Sequence, residues 1–396
     1  MIVQFEKKKD CCGCAACMNI CPTNAIHLKS DKNGFMFPII NHEWCIKCRK
    51  CIDVCAYQNV PVAKKEPLST YVAINKNNDI LSYSASGGIF GAVSAFIYEK
   101  KGVIFGCAYD ENMEPKHIGI ESKKDITMLQ GSKYVQSSIE TTFTEAKKNL
   151  DDGRWVFYTG TPCQIAGFKS YLGKDYEKLI TADIVCHGVP SAEFFISYIR
   201  CLEGKLNGKV IDFIFRDKTK GWGKTGKVSY QKSGKTKEKL MTPRASSYYH
   251  YFLKGHTFRE SCYECKYACG SREGDFTMGD YWGIESAHSE IETDKGVSVL
   301  LVNSEKGILL LEELMKYLNL TPSTFELAKA ENIQLNRPTS KSNMRESILR
   351  TWRDGGYEDV EGEFYRVNKR DIRLTKLKMM VPEPIKRNIK RVIGRK

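Results

Sequence analysis

From residue 70 onward, short apolar runs alternate with longer stretches whose apolar positions recur every three or four residues. The runs "TYVAIN" (70–75) and "GVIFGCAY" (102–109) are rich in β-branched and aromatic residues and predict strands. Between them, "GGIFGAVSAFIYEKK" predicts a helix after a glycine turn. "WVFYTGTPCQIAGFKSYL" (155–172) reads as strand, tight turn and helix, and "LITADIVCHGVPSAEFFISYIRCL" (179–202) repeats that order. Strands alternating with helices predict a largely parallel sheet, with ligands bound at the loops that leave the strand C-termini. Between about 209 and 300 the pattern is less regular, with "VIDFIFRDK" and "KVSYQKSGK" strand-like; "GILLLEELMKYL" (307–318) is an amphipathic helix.

Residues 1–60 lack this texture and hold nine of the 16 cysteines. "PVAKKEPLS" (61–69), with two prolines and no periodicity, reads as a linker. Hydrophobic content of 42% with 27% charged residues suits a folded soluble protein. The longest apolar run, "GGIFGAVSAFIY" (87–98), is too short for a bilayer, which needs about 20 residues. The start "MIVQFEKKKDCC" has no apolar stretch of signal-peptide length, so a cytoplasmic location is expected. In that reducing compartment most cysteines would be metal thiolates or free thiols.

The net charge of +14 invites a nucleic-acid reading, but its distribution argues against one. Residues 366–396 carry twelve Lys/Arg against Asp371 and Glu383, so this basic tail accounts for +10 of the +14. The body is close to neutral, and no nucleic-acid partner is expected. "IKRNIKRVIGRK", set off by Pro382 and Pro384, suits peripheral contact with an anionic membrane or a solvated tail.

The cysteines carry the chemistry. Cys11, Cys14, Cys17 and Cys21 are spaced x2, x2, x3, and Pro22 follows; Cys45, Cys48, Cys51 and Cys55 repeat the spacing, with Ala56 in place of the proline. This is the two-cluster ferredoxin run. Three cysteines two residues apart wrap one cluster, and the fourth points away to the neighbouring one. The expected ligand sets are therefore Cys11, Cys14, Cys17 and Cys55 for one 4Fe-4S cluster, and Cys45, Cys48, Cys51 and Cys21 for the other. Zinc usually takes cysteines in pairs, not in two runs of four with this phase. Cys12 is surplus and reads as a spare thiol. Four body cysteines raise a further question: Cys163 in "GTPCQ", Cys186 in "CHGVPS", and Cys262 with Cys265 in "CYEC". Their spacing leaves open a third metal site and buried free thiols. Cys269 is a neighbour or alternative ligand; Cys107 and Cys201 read as core.

The body resembles the family of coenzyme F-420 hydrogenase/dehydrogenase beta subunits, which includes bacterial members and the chlorophyll-ring reductases. The resemblance lies in "SASGGIF" (84–90), "GSKYVQSS" (131–138), "GTPCQIAGFKSYL" (160–172), "CHGVPS" (186–191), "CYECKYA" (262–268), "GDFTMGDYWGIE" (274–285) and "DKGVSVLLVNSEKG" (294–307). With the N-terminal runs it covers about residues 8 to 320. It implies a flavoprotein that binds FAD beside a 4Fe-4S cluster, with Cys163, Cys186, Cys262 and Cys265 as ligands of a third cluster. The expected fold class is α+β: a dicluster ferredoxin-like domain (1–60) followed by an α/β flavin-binding body in two parts, 70–150 and 151–330. A helical extension (331–365) and the basic tail follow.

Several residues suit FAD. Ser86, Gly87 and Gly88 precede a helix whose N-terminus can hold pyrophosphate, though such a turn is commonly just a turn. "GSKY" presents Ser132, Lys133 and Tyr134, with Lys133 for a phosphate or for the N1 region of reduced flavin; the plainer alternative is a solvated lysine. Thr161 and Gln164 lie at the sheet edge. His187, after Cys186, is a candidate proton donor or a structural histidine. Tyr281 and Trp282 read as core. The expected function is a flavin-dependent oxidoreductase that passes electrons between ferredoxin-type clusters and FAD. Ferredoxin or another redox protein would be its partner, and coenzyme F-420 or another small organic molecule its substrate. The alternative is a non-catalytic electron-transfer subunit of a hydrogenase or dehydrogenase complex.

Overall fold

The computed structural model describes residues 5–60 and 66–380. Of the linker at 61–69, residues 61–65 lie outside this range, as does the tail beyond 380 with Pro382 and Pro384. The strands are β1 (Ile26–Ser30), β2 (Met36–Ile40), β3 (Ser69–Asn75), β4 (Val103–Tyr109), β5 (Pro115–Ile120), β6 (Val156–Gly160) and β7 (Leu179–Ile184). They continue as β8 (Lys209–Ile214), β9 (Gly226–Lys232), β10 (Lys235–Met241), β11 (Phe276–Asp280), β12 (Ser298–Val302) and β13 (Leu318–Ser323).

The N-terminal segment is a pair of cysteine loops joined by the antiparallel hairpin β1–β2, in register Ile26 to Ile40. The body is built on an eight-stranded sheet of order β13-β3-β12-β11-β7-β6-β4-β5. This corrects the expectation of a largely parallel sheet: β11, β7, β6 and β4 are parallel, while β12, β3 and β13 on one side and β5 on the other run antiparallel to their neighbours. Apolar runs marked β3, β4, β6 and β7 of this sheet but do not encode direction, and the flanking β5, β11, β12 and β13 were not read as strands.

Alternate side chains of the central strands feed two faces. Phe157 joins one core with the helices Ile89–Glu99 and Glu305–Leu314, represented by Val93, Phe96, Leu311 and Leu314. Its neighbours Val156 and Tyr158 point the other way, into a core with the helices Thr142–Asp151 and Pro162–Leu172. Cys12, Cys14, Ala15, Ala16, Val54 and Tyr57 of the N-terminal segment belong to that second core. The first cysteine loop, with the residues that end and follow the second, is thus packed into the body.

A second sheet, β10-β9-β8, forms a further core with the helices Ala192–Leu206 and Ser247–Leu253. The C-terminal helix Arg345–Met380 closes it with Tyr357, Val360, Phe364 and Ile372, and continues across residues 365 and 366. It is broken at Gly356, whose φ of 76° no helix accommodates. No helix among the described residues is long and apolar enough to cross a membrane.

Candidate iron–sulfur sites and the adjoining pocket

The two cysteine loops share one backbone device. In the first, Gly13 (φ 73°) and Ala15 (φ 62°) are left-handed; in the second, the corresponding Lys47 (φ 59°) and Arg49 (φ 63°) are. For a residue with a side chain this costs about 1–2 kcal/mol. Backbone alternating in hand turns successive N–H groups inward, a concavity suited to an anionic group such as a thiolate-bound cluster. One-turn helices follow, Ala16–Asn19 and Lys50–Asp53, carrying the third cysteine of each run.

The fourth cysteines cross over. Cys21 lines a small pocket with Cys45, Cys48 and Cys51. Burial raises the Cys51 thiol, and Cys45, Cys48 and Cys21 add to it. Burial also raises Cys11, opposed by the Arg259 charge, with Cys14 and Cys55 as further neighbours. The Cys55 thiol is raised by burial and by Cys14. The structure therefore brings Cys21 to the second run and Cys55 to the first. Cys17 packs in the same apolar core as Cys14.

The inner loop meets the body on the helix Pro162–Leu172. A Cβ on Gly167 would lie 2.8 Å from Cys14 Sγ, so only glycine permits this approach. Gln136 Nε2 donates to Cys12 O at 3.0 Å, and Arg259 Nε donates to Cys11 O at 2.8 Å. Tyr57 OH donates to Ser261 O, and Tyr267 OH to Ala56 O. Cys12, read as a spare thiol, is buried in one core with Cys14 and Cys163, and both raise its pKa. It joins the inner loop to the first of the body cysteines.

The four body cysteines converge. Cys163, Cys186, Cys262 and Cys265 line one pocket, together with Cys12 and Tyr57. Cys163 sits in the first turn of its helix, whose start is fixed by a capping box between Thr161 and Gln164 with Pro162 at the first position. Its thiol is pulled down to about 7, chiefly by the Cys12 hydrogen bond, against burial and with help from Thr161 and Arg259. Burial pushes Cys186 up to about 12 and Cys265 to about 11, and both also feel Cys163. Cys262 is raised by burial, then by Cys186 and Cys265. Cys269 instead turns to the carbonyls of Lys266 and Ser271. A buried ion pair holds this segment on β7: Arg272 Nη2 donates to Asp183 Oδ1 at 2.6 Å, and Asp183 Oδ2 accepts the N–H groups of Glu273 and Gly274.

Four thiols in one dry pocket fit an iron–sulfur cluster, which takes soft thiolate ligands. A single zinc, about 2.3 Å from each sulfur, would gather them more tightly. Among the described residues no three His, Cys, Asp or Glu side chains are gathered closely enough to hold one metal ion.

A larger pocket with about 1500 Å³ of empty space adjoins this one and opens at the C-terminal ends of β6, β7 and β11. Val135, Ser137, Thr161, Gln164 and His187 line both pockets. Ser86, Gly88, Ser132, Lys133 and Tyr134 also line the larger one. Gly87 does not: its N–H donates to Ser298 Oγ, and a Cβ there would lie 2.1 Å from Ala73 O. Lys133 is half-buried in the pocket wall, and desolvation there lowers its pKa. Its ammonium donates to the Met128 and Gln130 carbonyls, both at 2.8 Å. Burial also lowers the pKa of His187, against the nearby Asp280.

Arg216 and His117, which also line the pocket, were not singled out in the sequence. Arg216 grips Asp280 at 2.6 and 2.9 Å, and Trp222 Nε1 donates to the same carboxylate at 3.0 Å. Trp282, read as core, lines the pocket and stacks on Trp222 at 5.3 Å, whereas Tyr281 is fully buried. Tyr134 stacks on Phe252 at 4.2 Å. His117 Nε2 faces Thr159 O at 2.9 Å, and its Nδ1 faces Ser137 Oγ at 2.8 Å. A carbonyl only accepts, so Nε2 carries the proton and Nδ1 accepts from Ser137. Gln164 Nε2 donates to Ser137 in turn, so the wall between the pockets is one hydrogen-bonded network. Aromatic plates, basic side chains and hydroxyl donors at strand C-termini fit a flavin nucleotide by their chemistry.

Comparison with known proteins agrees with the N-terminal geometry. Residues 10–60 match the family model of the 4Fe-4S dicluster domain, and residues 153–325 match that of the C terminus of the coenzyme F420 hydrogenase/dehydrogenase beta subunit. The F subunit of the F(420)H(2) dehydrogenase of Methanosarcina mazei is 23% identical over 168 residues, which is 39% of this chain and 46% of that one. The chain thus spans about half the length of that relative. An uncharacterised protein from the rpl9-rpl11 intergenic region of Porphyra purpurea is 38% identical over 64 residues, 14% of this chain and 79% of that one. Among solved structures, one chain of the xenon-derivatised F420-reducing NiFe hydrogenase complex of Methanosarcina barkeri aligns with a TM-score of 0.44 at 16% identity, covering 73% of this chain and 93% of that one.

Cysteine loops and family matches together define the class: an iron–sulfur electron-transfer protein with a 4Fe-4S dicluster domain. Within that class, residues 153–325 carry the C-terminal region of the coenzyme F420 hydrogenase/dehydrogenase beta-subunit family.

Proposed function

We propose that this chain passes electrons between its two N-terminal clusters and a flavin in the larger pocket, by way of a third 4Fe-4S cluster held by Cys163, Cys186, Cys262 and Cys265. The observation that carries the reading is continuity. Cys12 and Cys14 share a buried core with Cys163, and the four-cysteine pocket shares a wall with the larger one. Cys11, Cys14, Cys17 and Cys55 would hold the inner cluster; Cys45, Cys48, Cys51 and Cys21 would hold the outer one.

FAD, when bound, would supply the exchange between one-electron and two-electron chemistry. This chain's residues would hold and orient it. Ser86, Gly88 and the first turn of Ile89–Glu99 suit the pyrophosphate. Tyr134 and Trp282 offer apolar plates. Lys133 places a half-buried positive charge in the pocket wall. His187, between both pockets, is the candidate proton donor to substrate. The substrate would be coenzyme F420 or another small redox-active organic molecule, in line with the name of the M. mazei relative. That relative is part of a dehydrogenase, which favours work within a complex, with ferredoxin or another redox protein as electron partner.

The test is on anaerobically purified full-length protein supplied with FAD, by counting iron, sulfide and flavin per chain. About twelve irons and one flavin, from three four-iron clusters, is the expected result. About eight irons and no flavin would contradict both the third cluster and the flavin site.

A further inference from the structure

Arg259 is 1% exposed and sits at the junction of the inner cysteine loop and the body. A buried guanidinium without an anionic partner costs several kcal/mol. Yet Nε donates to Cys11 O (2.8 Å), Nη1 to Gln136 Oε1 (3.3 Å), and Nη2 to Met36 O (3.0 Å) and Cys11 Sγ (3.5 Å). None of these is a carboxylate. The ring of Phe37 lies 4.1 Å from the guanidinium carbon, and Phe35 lies on the same side at 5.7 Å. Arg259 is also tied to the body cysteines, since Cys262 N donates to Arg259 O at 3.0 Å. The partner missing from this charge is an anion at the inner loop, and four thiolates on an iron–sulfur cluster provide one.

Among the described residues the outer loop has no buried counterpart. Its Lys47, Arg49 and Lys50 are exposed, where salt screens their charge. A cluster gains negative charge on reduction. Burial in a dry core disfavours that gain, and a fixed buried cation favours it.

We propose that the Arg259 guanidinium is a positioning charge that favours the electron on the inner N-terminal site and so draws it inward from the outer one. The inference rests on the relay reading above. The step it governs is a plain electron transfer: one electron leaves the outer site as one arrives at the inner, with no bond or proton moved.

The test is an anaerobic redox titration of full-length protein followed by electron paramagnetic resonance. The outer signal is assigned by its loss in Cys48→Ser. Arg259→Met should lower the reduction equilibrium constant of the inner cluster at least tenfold, 59 mV for one electron. The outer cluster should move less than about twofold, in keeping with its distance from the guanidinium. Arg259→Lys, which keeps the charge, should hold the inner cluster near its wild-type value. An iron-replete Arg259→Met with an unmoved inner cluster, or with both clusters moved equally, overturns the proposal. Where Arg259→Met binds about four fewer irons, Arg259→Lys decides. An inner cluster kept at wild-type potential supports the charge role, and its loss there too shows a packing role only. A wild-type count of about eight irons would end the three-cluster relay while leaving this comparison of the two N-terminal sites intact.

Discussion

The two cysteine loops, 11–21 and 45–55, have the same spacing and the same left-handed pairs, Gly13 and Ala15 against Lys47 and Arg49. Their surroundings are opposite. Cys12, Cys14 and Ala15 are buried against the body, whereas Ile46, Cys48 and Arg49 at the matching positions are exposed, with Trp44 exposed beside them. One local code thus builds two loops, and neighbours decide what each can do. The outer loop presents a cysteine to solvent, where a protein partner can approach. The inner loop is dry, contacts a buried arginine, and hands on through Cys12 to a third group of cysteines.

If the inner side depends on tertiary support, its loss should be costly there and cheap outside. The largest effect should come from Arg272→Ala, which leaves Asp183 buried without its partner. About 3–5 kcal/mol of stability should be lost in denaturant unfolding. A loss below 1 kcal/mol would mean that the pair does not hold the Cys262–Cys265 segment.

The next effect is a pH signature of the wall between the pockets. Burial pushes His117 down to about 4, so between the unfolded value near 6.5 and pH 4 only the unfolded chain binds the proton. Stability should therefore fall as pH drops through that window, by about 3 kcal/mol from this group, and this part of the loss should level off below pH 4. His117→Gln removes this contribution, so the stability gap between wild type and variant should narrow from pH 7 to pH 4. A gap independent of pH would refute it.

Gly167→Val drives a side chain against Cys14 Sγ. It should cost about 1–3 kcal/mol and weaken iron retention at the inner site. Full iron content with unchanged unfolding would show that the helix and loop are not in tight contact. The smallest effect should be a gain. Arg49→Gly relieves an exposed left-handed residue, and should add about 0.5–1 kcal/mol. Ala15→Gly, at the buried equivalent, forfeits a packed methyl and should gain less. Equal gains would erase the distinction between the loops.

Much of this layout was legible in the residues, and the reasons for the rest are physical. The x2, x2, x3 spacing anticipates which cysteines are brought together, because the fourth must leave the loop one helical turn on. Apolar runs located β3, β4, β6 and β7, but strand direction is not written in periodicity, so the antiparallel flanks were missed. Cys12 looked surplus because its partner Cys163 lies about 150 residues away. Arg216 and the Asp280–Trp282 segment lie far apart in the chain, and only the fold brings them to one pocket. Lys133 looked like a surface lysine because nothing local says that the Met128 and Gln130 carbonyls will hold its ammonium.

The body cysteines are where the account is most directly tested. Iron and acid-labile sulfide should be counted in anaerobically reconstituted wild type and in Cys262→Ser/Cys265→Ser, with folding of both checked by circular dichroism. The wild type should carry about four more irons and four more sulfides per chain. Equal counts in two folded proteins would contradict a cluster in the body, and with it the path from the inner loop to the pocket.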